Sequence, residues 1–169
     1  MDNIDELVAK VTRLPALLPD NGFCVHWGAP CTPQAIATVE DALNVRIVGS
    51  FRHFLLRYGG GGLDTFPIAG IDPKDPLASG VHGVYGGSCY YREPWVPAPL
   101  PAHLIVIQRD ADDNEPFCLD TSRIINGENP VVLFYHQSTG RIEDIAQSFT
   151  SFYAEYHEPY FIEAGIVEE

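Results

Sequence analysis

The sequence predicts an α+β fold: an antiparallel meander sheet covered on one face by N-terminal helices and a C-terminal helix. Three observations carry this. Segments with helical apolar spacing come first in the chain. The strand-like segments "LIVIQ", "PFCLD" and "NPVVLFYH" then follow with short links, which argues for antiparallel neighbours. A long apolar stripe at helical spacing closes the pattern, and a sheet with helices gathered on one side is the layered solution that buries all of these faces.

Each element has its own signal. In "NIDELVAKVTRL", Ile4, Leu7, Val8, Val11 and Leu14 fall on one helical face; Asp5 and Glu6 suit the positive end, and Pro15 is expected to stop the helix. In "TPQAIATVEDALNV", Thr32 can cap, Pro33 fits the first helical position, and Ile36, Val39 and Leu43 form a stripe. In "SFRHFLLRYGGGG", Ser50 is the expected cap, Phe51, Phe54, Leu55 and Tyr58 repeat with helical period, and Gly59 ends the run. Short strands are expected around Phe66–Ile71 and Val81–Tyr85. The stretch from Asp72 to His103, with six prolines and four glycines, reads as a long loop. It carries Tyr85, Tyr90, Tyr91 and Trp95, and a long loop with large aromatics suggests function. "GRIEDIAQSFTSFYAEY" reads as the final helix, through Ile142, Ile145, Ala146, Phe149, Phe152, Tyr153 and Tyr156. An acidic tail is expected from residue 157.

A chain of 169 residues suits one domain. No apolar run reaches the length of a membrane span, and the acidic start "MDNIDELVAK" lacks the basic and apolar regions of a signal peptide, so a cytoplasmic location is expected. Four cysteines, Cys24, Cys31, Cys89 and Cys118, form no CxxC pair and are expected as free thiols, with a Cys24–Cys31 disulfide the open alternative. The net charge of −13 is uneven: ten acids against seven bases in residues 1–100 (−3), thirteen against three in residues 101–169 (−10). That surface repels nucleic acid and anionic lipid and attracts a basic protein.

Motifs for other chemistry fail on inspection. In "RDADDNEPFCLD", Asp110, Asp112 and Asn114 occupy the first, third and fifth places of an EF-hand loop, but Glu115 and Thr121 stand where Gly and the bidentate Glu are required. Calcium affinity no better than millimolar is expected, and no metal or other cofactor. Gly59–Gly62 follow a helix instead of opening one and lack GK[ST], so they do not form a phosphate loop. Acid–base work by Asp110, Asp112, Asp113 and Glu115 would need a buried member, which a polar hairpin does not offer. The histidines at 26, 53, 82, 103, 136 and 157 are scattered; Cys24 and His26 share a strand-like stretch but no third group is evident.

The order of elements resembles the SUKH superfamily, which contains fungal cell-wall regulators of the Smi/Knr type and many bacterial immunity proteins. The resemblance rests on Ile36, Glu40 and Leu43, then "SFRHFLLRYGGGG" and "FPIAGI", then "LIVIQRDADDNEPFCLD", "NPVVLFYH" and "DIAQSFTSFYAEY", in the family's order over roughly residues 30–156. The chain departs from the pattern at Val48–Gly49, where an "LP" step is usual, at Tyr58, where Asn is usual, and in the length of the segment 72–103. Residues 1–20 are then an extra N-terminal helix. The resemblance implies a non-catalytic binding module: an immunity protein neutralising a cognate secreted toxin, such as a basic nuclease delivered by a bacterial secretion system. The alternative is a regulatory or scaffold module of the same fold. Candidate partner contacts are Asp110, Asp112, Asp113 and Glu115 for steering, with Tyr90, Tyr91 and Trp95 as anchors.

Overall fold

The computed structural model describes residues 3–109 and 115–166. Its elements run α1 (Ile4–Leu17), β1 (Val25–Trp27), α2 (Pro33–Leu43), α3 (Gly49–Tyr58), β2 (Gly61–Leu63), α4 (Val84–Tyr91), β3 (Leu104–Gln108), β4 (Phe117–Asp120), β5 (Val131–Phe134), β6 (Ile142–Ala146) and α5 (Phe149–Glu163). The strands β3-β4-β5-β6 form the antiparallel meander, and β1 pairs with β2. Ile68 bridges Gly61 on one side and Gln108 on the other, so it stitches the small ladder to the large one.

The helices form for the reasons their sequences supply. Asn3 and Glu6 close a reciprocal capping box on α1: the Asn3 side chain accepts from Glu6 N, and the Glu6 carboxylate accepts from Asn3 N, each at 3.0 Å. Pro15 lies inside α1 and does not stop it, because the missing donor falls in the last turns and Leu18 N still bonds to Leu14 O at 2.8 Å. Thr32 caps α2 through Ala35 N, as expected. The cap of α3 comes from elsewhere. Ser50 is already helical; its N and Oγ both donate to the Glu128 carboxylate, and its Oγ accepts from Thr150 N at 3.1 Å. One distant carboxylate thus sits at the positive end of α3 and, through Ser50, reaches the first turn of α5. Gly59 ends α3 in the left-handed conformation (φ 72°), as expected.

Ile4, Leu7, Val8, Val11, Ile36, Val39, Leu43, Phe51, Phe54, Leu55, Phe149, Phe152 and Tyr153 join Ile105, Ile107, Leu119 and Val131 in one core on the first face of the sheet. Phe54 lies with ring centroids 5.1 Å from Phe149 and 6.0 Å from Tyr153, the spacing at which aromatic pairs gain beyond their area.

Four expectations need correction. The stretch from Val81 to Tyr85 is not a strand; from Val84 the chain is helical, because Val84, Ser88 and Tyr91 recur at i, i+4 and i+7, while Gly86 and Gly87 let the helix press against the backbone at Ser79–Val81. Phe66–Ile71 supplies a paired Ile68 and no full strand. Ile142–Ala146 is strand β6 and not the start of the final helix, since β5 offers it an antiparallel partner and Ser148 caps α5 only afterwards through Ser151 N. The expected tail is helical to Glu163, with His157 and Phe161 buried.

The second face of the sheet is covered as well. Leu104, Val106, Cys118, Val132 and Phe134 point there and pack under Tyr91 and Leu100, with Tyr90 and Ala98 partly buried beside them. All five residues of β3 are buried, as a strand covered on both faces requires.

Candidate functional site

The second face is where the segment 84–103 does its work. Ser88 Oγ donates to Val84 O at 2.6 Å and accepts from Val106 N at 3.0 Å, fastening α4 to β3. Arg92 Nη2 donates to Ala102 O and Leu104 O at 3.0 and 3.1 Å, which folds the proline-rich return back on itself. Leu100 N bonds to Tyr91 O and Ala98 N to His136 O. The segment is therefore a pinned cover, and the prolines cost it little because fewer of its backbone donors need partners.

On that cover an aromatic pair reaches the surface. Trp95 is 55% exposed, and its ring meets Tyr90 edge to face at 4.6 Å between centroids. The Arg109 guanidinium lies over the other side of the cluster, 4.6 Å from the Tyr90 ring centre, a cation–π distance. Arg109 Nε also donates to the Tyr91 hydroxyl at 3.2 Å. Arg109 in turn borders a cleft of about 380 Å³ whose other walls include Trp27, Gly61, Pro67 and His82.

The expected contact residues fall into three groups. Tyr90 and Trp95 form the surface pair just described. Tyr91 is not an exposed anchor: it is fully buried, since the turn of α4 that puts Tyr90 outward points Tyr91 into the second core. Glu115 is not a freely solvated acid either; its Oε2 accepts from His136 N at 2.6 Å, and His136 Nε2 lies 3.8 Å from the same oxygen. Asp110, Asp112 and Asp113 lie outside the described residues. Arg109 and His136 were missed by sequence reasoning. The available signal was that Arg109 is a lone base at the head of an acidic run, and a lone base there has carboxylates or rings to hold.

The four cysteines are free thiols, two of them buried, and burial pushes the Cys118 thiol well above its ordinary value, which makes it unreactive. No group of three His, Cys, Asp or Glu side chains among the described residues could hold a metal ion. Burial of His157 lowers its pKa to about 4; its Nδ1 bonds to Tyr153 O at 2.8 Å, so it is a neutral core histidine. No described helix is long and apolar enough to cross a membrane.

The arrangement is that of an α+β module in which an exposed Trp95, seated on a partly buried Tyr90 and flanked by a cation, sits on the cover of the sheet's second face. The SMI1 / KNR4 family (SUKH-1) matches residues 30–155, and the chain belongs to this family. The match begins after β1 and ends within α5, so it spans both faces of the sheet and the whole of the segment 84–103. No curated protein matches the chain.

Proposed function

We propose that the chain is an immunity protein, a non-catalytic module that binds and neutralises a cognate secreted toxin whose covered surface is basic, such as a nuclease. Membership of the SMI1 / KNR4 family (SUKH-1) fits this role. The single observation that carries the interface is Trp95, 55% exposed yet seated against Tyr90 on a pinned cover. An exposed large aromatic on a rigid support is what an interface uses as an anchor, because little side-chain freedom is lost on binding.

Charge supplies the second half of the reading. A nuclease must attract a polyanion, so its cleft is basic. A partner of net charge −13, with −10 carried by residues 101–169, is drawn to that cleft and associates faster through steering. Asp110, Asp112 and Asp113 then contribute to the on-rate, while Trp95 and Tyr90 hold the complex together. Glu115 contributes through the position it gives to its neighbours more than through its own exposed charge.

The test is co-expression with the toxin encoded beside this chain's gene, followed by gel filtration. Rescue of growth and a co-eluting complex are expected. Absence of both leaves the module to a regulatory role with a cellular partner, and the immunity reading fails.

A further inference from the structure

Arg109 and Glu115 stand at the two ends of the β3–β4 connection; Arg109 is held by the Tyr91 hydroxyl, and Glu115 by the backbone of His136, whose ring packs on Tyr91. Arg109 Nε donates to the Tyr91 hydroxyl at 3.2 Å, and Glu115 Oε2 accepts from His136 N at 2.6 Å. The rings of Tyr91 and His136 meet edge to face with centroids 4.8 Å apart. Tyr91 is also in edge-to-face contact with Tyr90 at 5.1 Å, and Tyr90 carries Trp95. Every described part of the candidate surface therefore touches Tyr91 directly or through one neighbour.

We propose that Tyr91 is a positioning residue for the partner-binding surface: its hydroxyl holds Arg109 edge-on while Arg109 lies over Tyr90, so that Tyr90 and the exposed Trp95 it carries are presented as one preformed pair. The proposal rests on the immunity reading for what the surface binds, but not for how the surface is built. Packing alone does not require a hydroxyl here. The companions of Tyr91 in this core are Leu100, Leu104, Val106, Cys118, Val132 and Phe134, and a phenyl ring would fill the same space. A buried hydroxyl costs stability unless it is bonded, and a bond from a guanidinium is stronger than a neutral one. The guanidinium then touches both tyrosines, the hydroxyl of Tyr91 through Nε and the ring face of Tyr90. A surface ordered before binding loses less entropy on association, which is where such an arrangement contributes.

The test uses the full chain, isotope-labelled for NMR, with Tyr91→Phe. The readouts are solvent exchange of the Arg109 Nε proton and the ring-to-ring cross-peaks between Tyr90 and Trp95. Loss of a bond to a charged group predicts exchange faster by about tenfold or more. Weakened Tyr90–Trp95 cross-peaks are expected beside it, with backbone signals of α1, α3 and α5 unchanged. Exchange within about twofold of wild type would overturn the proposal and leave Tyr91 as packing alone. Should Tyr91→Phe not fold, Arg109→Lys keeps the tyrosine and the charge but removes the planar donor. Weakened cross-peaks in that variant support the proposal; cross-peaks of wild-type strength sink it. Neither readout needs a toxin, so failure to capture one refutes the immunity reading without touching this result, and the reverse also holds.

Discussion

The two faces of the meander sheet are both dry but built to different ends. On the first face, α1, α2, α3 and α5 bury a broad aromatic cluster around Phe51, Phe54, Phe149, Phe152 and Tyr153. On the second, a short helix and a proline-rich return cover a small core of seven fully buried residues, tied down by polar contacts from Ser88, Arg92 and Arg109. The first face stabilises through area. The second stabilises less and spends its side chains on holding Tyr90 and Trp95 at the surface. If the proposed surface is the binding surface, the same strands separate folding from recognition, and a mutation should reveal which face it strikes.

The largest effect is expected on the first face. Phe54→Ala and Phe149→Ala each remove a fully buried ring from the centre of the cluster and should cost on the order of 3–5 kcal/mol in denaturant melts. Costs below about 1 kcal/mol for both would erase the contrast between the faces.

Acid should also strike the first face. His157 is neutral when folded, with a pKa lowered to about 4 by burial, against an ordinary value of 6.5. As pH falls, the unfolded chain takes up the proton first, so this contribution is complete above pH 6.5 and is lost progressively down to about pH 4. The loss is about 3 kcal/mol. The carboxylate of Asp5, held below its ordinary value chiefly by the Tyr58 hydroxyl bond, acts in a lower window, below pH 3.8. Melts at several pH values should show a slope for wild type between pH 6.5 and 4 that is absent in His157→Gln; parallel slopes would assign the acid sensitivity elsewhere.

A smaller loss is expected at the junction of α3 with the β4–β5 connection. Glu128→Ala removes the carboxylate that accepts from Ser50 N and Oγ, and should cost about 1–2 kcal/mol, the range of a lost N-cap. Glu128→Gln should recover part of it. No change in either variant would mean that water replaces the cap without loss.

The smallest effect on stability belongs to the second face's surface. Trp95→Ala should change the unfolding free energy by no more than about 0.5 kcal/mol, because an exposed ring contributes little to folding. A large destabilisation would make Trp95 part of the cover and not of the interface.

Much of this was legible in the sequence, and the failures share a cause. Regular stripes of four or five apolar residues, as in α3 and α1, made the helices legible because the period repeats enough to be read. The run "LIVIQ" reads as a strand, but the sheet is expected to be covered on one face only, and the segment that covers the second face reads as a loop. That cover, α4, has only eight residues, with two glycines at its centre and a period carried by Val84, Ser88 and Tyr91 alone. Strand β6 was absorbed into the following helix because Ile142, Ile145 and Ala146 fit the helical spacing; the pairing with β5 that decides is not local. At the site, sequence placed Tyr90 and Trp95 in the segment that reaches the surface. It could not separate Tyr90 from Tyr91, because which of two adjacent rings is buried depends on a helix whose existence was missed. The roles of Glu128, Arg109 and His136 come from partners between 18 and 78 residues away, beyond any local pattern.

The most direct measurement follows binding kinetics of the immobilised toxin with wild type, Trp95→Ala and the double charge reversal Asp112→Lys/Asp113→Lys, at low and moderate salt. If the surface works as proposed, Trp95→Ala leaves association nearly unchanged and speeds dissociation, while the charge reversal slows association and flattens its salt dependence. Rates indistinguishable from wild type in both variants would contradict the account and place the partner on another face of the molecule.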